Sequence, residues 1–351
     1  MITFAPGPSK VYDSLPQYMQ EAYEKGILSA NHRSAVFMDL YKETETLIKE
    51  KLHVPQDFKL LFTSSATENW EIISQSIVES ASFHIFSGSF GKKWFEYAKY
   101  IEPKSQSLKI SADDTIQVEG LQIGEEFDLI AITQNETSNA TQVRNDTIGE
   151  IRAKFPEKMI AVDTTSSMGG IELEFSNADI WYASVQKCFG LPAGLGILIL
   201  SPRAIAKTKN KGERGRYNSL NFILENADNY QTHYTPNVFG IYLLNRVLRD
   251  MPEIQHVDSK IKQRMRRLED SIAHTPKLMM LVQNMDARSS TVLAISGKEE
   301  FIAEIKKAAE KEGMQLGSGY GPLKPTSFRI ANFPAINDSE FEKLIGFLKQ
   351  Y

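Results

Sequence analysis

Two residues whose types suit covalent chemistry, Asp163 and Lys187, stand at corresponding places after two short apolar runs. Met159–Val162 ends in Asp163, followed by Thr-Thr-Ser-Ser-Met-Gly-Gly170. Ile180–Ser184 leads through Val185 and Gln186 to Lys187, followed by Cys-Phe-Gly-Leu-Pro-Ala-Gly-Leu-Gly196. If both runs are strands of one parallel sheet, a carboxylate and an amine emerge at the same edge. A lysine in an apolar, glycine-flanked pocket has its ammonium form disfavoured, which frees the amine to attack a carbonyl. Taken singly, an aspartate after a strand is most often a turn residue and a lysine is most often on the surface. The pair carries the signal.

An amine and a carboxylate side by side match the needs of pyridoxal phosphate. The lysine forms a Schiff base with the aldehyde, and the aspartate keeps the pyridine nitrogen protonated so that the ring accepts electrons from a carbanion. The glycines and Pro192 let the backbone pass close to a flat ring. Two further clusters are consistent with such a ligand. Asn135-Glu-Thr-Ser138 follows the apolar run Asp128–Thr133, where it suits a hydrogen bond to a ring substituent or, equally, an Asx-type turn. Thr63-Ser-Ser-Ala-Thr67-Glu-Asn69 reads as a strand-to-helix junction. Its backbone amides and hydroxyls suit a phosphate, and its composition is also that of an ordinary helix cap with Glu68 in the first turn.

The elements that must position these residues follow from hydrophobic period. Strands are expected at Lys59–Thr63, Phe83–Phe86, Asp128–Thr133, Met159–Val162, Ile180–Ser184 and Gly196–Leu200, with helices at Ala66–Val78 and Phe90–Tyr100. Several strands are apolar at every position, as in sheets covered on both faces. The alternation predicts an α/β fold with a mainly parallel sheet, and ligands of such sheets bind beyond the strand C-termini. Pro236–Asp250 is apolar nearly all round, which predicts a helix buried between domains or at a subunit contact. From about residue 275, strands at Lys277–Val282, Ser290–Ile295 and Ser327–Ala331 and helices at Lys298–Glu312 and Asp338–Leu348 predict a small α+β domain. The division expected is 1–250, with an N-terminal arm over 1–30, and 251–351.

Composition excludes several classes. A net charge of −4 argues against nucleic acid as a partner, and the densest basic segment, Lys207–Arg216, reads as a solvated loop. A single cysteine, Cys188, permits no disulfide framework, and six scattered histidines offer no metal-ligand spacing. No apolar stretch is long enough to span a bilayer. The first residues lack the pattern of a secretory signal, so a cytoplasmic location is expected and the Asn-x-Thr sequons at Asn135, Asn139 and Asn145 carry no glycosylation signal. Neither a Gly-x-x-x-x-Gly-Lys-[Ser/Thr] loop nor a Gly-x-Gly-x-x-Gly turn supports a nucleotide enzyme.

In order and spacing, the chain resembles the class V aminotransferases of pyridoxal-phosphate fold-type I, and among them most the phosphoserine aminotransferases. The resemblance is carried by Phe4-Ala-Pro-Gly-Pro8, Asn31-His-Arg-Ser34, Ser64-Ser-Ala-Thr67, Asn135-Glu-Thr137, Asp163 through Gly170, Ser184-Val-Gln-Lys187, Tyr234-Thr-Pro236 and Phe328-Arg-Ile330. It implies the aspartate aminotransferase-like fold and a homodimer with shared active sites. Lys187 is implied as the Schiff-base lysine and proton shuttle, Asp163 as the partner of the pyridinium, and Thr137 as a hydrogen-bond partner on the ring-hydroxyl side. Phe90 is implied as the stacking aromatic, and Ala66, Thr67 and Gln186 as phosphate-binding residues with Thr235 from the partner subunit. Arg329 is implied as the receptor of the substrate α-carboxylate, and His32 and Arg33 as receptors of its distal anion. The implied substrates are amino acids and oxo acids, with 3-phosphoserine/3-phosphohydroxypyruvate and glutamate/2-oxoglutarate preferred. Alanine–glyoxylate or serine–pyruvate exchange is the alternative. Three departures from the phosphoserine branch stand out: Phe90 where tryptophan is usual, Ser64-Ser-Ala-Thr67 where a glycine-rich, arginine-bearing loop is common, and no His-Arg pattern in Gly317–Thr326. Lys324 and Tyr320 are candidates to fill the last gap.

Overall fold

Seven short strands make the main sheet, in the order Lys59–Thr63, Gly196–Leu200, Ile180–Ser184, Met159–Asp163, Leu129–Thr133, Ser82–Phe86 and Gln106–Lys109. Only Gly196–Leu200 runs antiparallel to its neighbours, so the sheet is mostly parallel, as expected. The computed structural model describes all 351 residues. The expected strand bounds hold to within a residue, because unbroken runs such as Ile180–Ser184 are buried at every position. Gln106–Lys109 was not expected: it is an edge strand, exposed throughout, and its single apolar residue, Leu108, makes no hydrophobic period.

Helices cover both faces. Ser65 caps the helix Ala66–Ser76 by accepting from Glu68 N at 3.2 Å. The basic segment expected to be a loop begins as the end of a helix, Pro202–Lys211. Ser201 caps it, Pro202 opens it, Ala204 and Thr208 face the core, and Gly212 ends it at φ +66°. The apolar helix Val238–Asp250 is buried, yet within the large unit: it packs on the helix Ala35–Leu52 and on Leu15–Glu24. No helix is long and apolar enough to cross a membrane.

A second sheet has the order Ile2–Phe4, Met314–Ser318, Ser327–Ala331, Val292–Ser296 and Met279–Met280. The strand expected over Lys277–Val282 shrinks to two residues, with Met279 exposed. Met314–Ser318 was not expected, since Gln315 and two small residues break its pattern. Ile2–Phe4 pairs parallel with it, so the first residues of the chain belong to the sheet built from the last ones. The 20-residue helix Ile254–Ala273 joins the two cores: Ile254, Val257 and Ile261 pack in the larger, Met265, Leu268 and Ile272 in the smaller.

Candidate active site

A cavity of about 250 Å³ opens beyond the C-terminal ends of the central parallel strands. Asp163 ends its strand and is in register with Thr133 on one side and Tyr182 on the other. Lys187 lies three residues past Ser184, in a turn closed by Gly190 N donating to Lys187 O at 2.9 Å. The sheet therefore presents amine and carboxylate to one space.

Lys187 is 8 % exposed. Its Nζ donates to Thr137 Oγ1 at 2.7 Å and lies 5.2 Å from the centroid of the Phe90 ring. Burial pushes its pKa down to about 8, against the opposing pull of the Asp163 and Glu136 carboxylates. Asp163 is also buried. Its Oδ1 accepts from Thr165 N at 2.9 Å and Thr165 Oγ1 at 2.6 Å, which leaves the second oxygen available to a ligand. Burial raises the Asp163 pKa, while the Thr165 bonds and the nearby Lys187 favour its charged form.

Glu136, unremarked among the candidate residues, organises the neighbouring wall. It is fully buried, and Oε2 accepts from Phe90 N and Gly91 N, both at 3.0 Å, at the start of the helix Ser89–Ile101. Oε1 accepts from Ser138 N at 3.0 Å and Ser138 Oγ at 2.6 Å. One carboxylate thus caps the helix that carries Phe90 and braces the loop that carries Thr137. A side chain on Gly88 would collide with it, the added carbon lying 2.5 Å from Glu136 Cγ. The signal in the sequence was a glutamate inside Asn135–Ser138, a cluster otherwise read for Thr137 alone.

The smaller sheet supplies Arg329. Its Nε donates to Ser318 O at 2.8 Å and one terminal nitrogen to Thr137 O at 2.7 Å, so the guanidinium is held in place with its other terminal nitrogen unengaged. Asn135 locks this contact between the units, donating to Ser166 Oγ at 2.8 Å and Thr291 Oγ1 at 2.9 Å while accepting from Ser289 Oγ at 2.8 Å. Over the lysine arches Pro6-Gly7-Pro8: a Cβ on Gly7 would lie 3.1 Å from Lys187 Cε.

Eight of the expected residues line the cavity: Ala66, Thr67, Phe90, Thr137, Asp163, Gln186, Lys187 and Arg329. Ala66 N, at the helix start, donates to the Ser184 hydroxyl oxygen at 2.8 Å, and Thr67 is exposed. His32, Arg33 and Thr235 do not line it. His32 and Arg33 sit in the turn before the helix Ala35–Leu52, and Thr235 is exposed before Val238–Asp250. Sequence reasoning assigned no site role to Trp70 and Thr133, and Pro6–Pro8 carried the family resemblance without a place at the cavity. Trp70 Nε1, Thr133 Oγ1 and Gln186 Oε1 are buried polar atoms with no protein partner. Such atoms call for a polar ligand. With a buried amine, a buried carboxylate and helix-start amides around the same space, the residues fit pyridoxal phosphate.

A sheet and a site of this kind define a pyridoxal-phosphate enzyme of the aminotransferase fold. The family model "Aminotransferase class-V" matches residues 4–332, and the chain belongs to that family of pyridoxal-phosphate-dependent enzymes. Among known relatives, the phosphoserine aminotransferase of Rhodococcus opacus is 25 % identical over 97 % of this chain and 92 % of its own. The crystal structure of a phosphoserine aminotransferase from Cytophaga hutchinsonii superposes with a TM-score of 0.95 at 34 % identity, covering 99 % of this chain and 98 % of that one. A Thermus thermophilus aspartate aminotransferase shares the fold, with a TM-score of 0.87 at 20 % identity, over 100 % of this chain and 98 % of that one.

Proposed function

We propose that this aminotransferase exchanges the amino group between 3-phosphoserine and 2-oxoglutarate, giving 3-phosphohydroxypyruvate and glutamate, in either direction, as a step of serine biosynthesis. The observation that carries the reading is the likeness, end to end, to a solved phosphoserine aminotransferase at 34 % identity.

The bound cofactor supplies an electron-accepting ring that lets an amino acid lose its α-proton and, in a second half-cycle, an oxo acid regain it. Lys187 Nζ would hold the cofactor through its aldehyde and, once released, would serve as the base that takes and returns the substrate α-proton. A pKa near 8 keeps a working fraction of that nitrogen neutral around neutral pH. Asp163 would hold a proton on the ring nitrogen through its oxygen not bound to Thr165. Phe90 and Thr137 would hold the ring, and Ala66, Thr67 and Gln186 would hold the phosphate. Arg329 takes the substrate α-carboxylate on its unengaged nitrogen, a task that suits a planar guanidinium. Because Thr235, His32 and Arg33 lie outside the cavity of their own chain, we assign them to the neighbouring site of a homodimer. There Thr235 adds to the phosphate site and His32 and Arg33 to the distal end of the substrate.

One observation favours a second reading, alanine–glyoxylate or serine–pyruvate exchange: the cavity lining holds no cation besides Lys187 and Arg329. The deciding experiment mixes the cofactor-loaded protein with O-phospho-L-serine, L-alanine or L-serine and follows conversion of the cofactor to its amine form by absorbance. Rapid conversion by phosphoserine alone is expected. Faster conversion by alanine or serine would replace this reading with the second.

A further inference from the structure

Tyr320, a residue of the cavity lining, is reached from outside that lining by the exposed Lys93, an arrangement that the transfer chemistry leaves unused. Tyr320 stands at its centre. The Phe90 ring packs against it, with centroids 5.3 Å apart. Arg329 Cζ lies 5.4 Å from the Tyr320 centroid, and Lys93 Nζ lies 5.7 Å from it. Lys93 also donates to Tyr320 Oη at 3.1 Å.

Lys93 follows Phe90 by three residues on the helix Ser89–Ile101, so the two share a face. Its neighbour Lys92 pairs with Glu96 at 3.3 Å. Lys93 makes no ion pair, and its one hydrogen-bond partner is a phenol. That bond raises the Lys93 pKa and keeps the side chain an ammonium. Because the Tyr320 oxygen accepts from Lys93, its own hydroxyl proton is free to point elsewhere. Near the same ring, Arg329 has two nitrogens committed to carbonyls and one unengaged. Two cationic groups therefore adjoin one aromatic ring of the cavity lining, as a substrate with an anion at each end requires.

We propose that Lys93 and Tyr320 form a subsite for the distal anion of the substrate: the ammonium and the phenol hydroxyl receive oxygens of the phosphate of 3-phosphoserine or of the side-chain carboxylate of glutamate. The proposal rests on the reading of the reaction given above. It supplies, from one helix and one loop of the same chain, the positive charge that Ser64–Thr67 and Gly317–Thr326 lack in the form of arginine and histidine.

The test compares kcat/KM for O-phospho-L-serine with that for L-alanine, in half-reactions of the cofactor-loaded protein. Lys93→Ala and Tyr320→Phe should each lower that ratio about tenfold, the scale of one partly solvated charge-assisted hydrogen bond. Lys93→Arg should recover most of the loss, and the double variant should lose less than the product of the two single losses, since the groups share one site. Lys92→Ala, on the adjacent exposed position, should leave the ratio unchanged. If Lys93→Ala and Tyr320→Phe leave the preference intact, or slow both substrates equally, the subsite is overturned while the phosphoserine reading stands. If the unaltered protein itself prefers alanine, both fall together.

Discussion

The two walls of the cavity are built on different principles. The inner wall, with Asp163, Lys187 and Thr137, grows from ends of central strands and the turns just beyond them. Each of these side chains is buried and tied to a neighbour. The outer wall, with Phe90, Tyr320 and Arg329, is assembled from a helix start, a loop and the second sheet, and the exposed Lys93 reaches Tyr320 from outside the lining. The difference teaches where each property resides. On the proposed reading, chemistry that must not vary sits on strand ends whose geometry the sheet dictates, whereas selection among substrates sits on parts that can be exchanged without disturbing that geometry.

Substitutions can break this contrast. The largest effect is expected from Lys187→Ala: turnover should fall by about 10⁴-fold or more, with loss of the absorption of lysine-bound cofactor. Asp163→Asn should come next, with kcat down about 10²–10³-fold while the lysine-bound spectrum survives in shifted form. On the outer wall, Arg329→Lys should raise KM for every amino-acid and oxo-acid substrate about tenfold to a hundredfold and change kcat less, because a point charge does not replace the fork. Equal loss of kcat would move Arg329 to the inner class.

The smallest effect tests the residue that connects the walls. Glu136→Gln removes a negative charge that favours the Lys187 ammonium. In the apo-protein, the rate of cofactor capture should rise with pH through about 8, as Lys187 loses its proton. In Glu136→Gln this midpoint should move to lower pH, because the ammonium has lost a stabilising neighbour. Stability should drop by about 1–2 kcal/mol, measured by denaturant unfolding, because glutamine keeps one oxygen and leaves two of the four donors of Phe90, Gly91 and Ser138 without an acceptor.

The same contrast explains what could be read from the chain. Asp163 and Lys187 were legible because each follows a strand of unbroken apolar residues, and such strands are easily bounded. The large sheet and its mostly parallel sense followed from them. The edge strand Gln106–Lys109 escaped, since an exposed edge with a single apolar residue has no period. So did the union of Ile2–Phe4 with Met314–Ser318, a contact between residues more than 300 positions apart that no local pattern announces. On the outer wall, the Lys93–Tyr320 contact joins a helix to a loop 227 residues away and was equally hidden. Glu136 looked like a loop residue until the helix start it caps came into view.

The pairing of Ile2–Phe4 with the second sheet has a mechanical outcome. That sheet bears Arg329, and the strand leading from Phe4 runs directly into the arch over Lys187. Latch and lid are therefore one piece: any shift of the second sheet away from the first withdraws the Arg329 guanidinium, the proposed carboxylate receptor, and unroofs the amine in a single stroke.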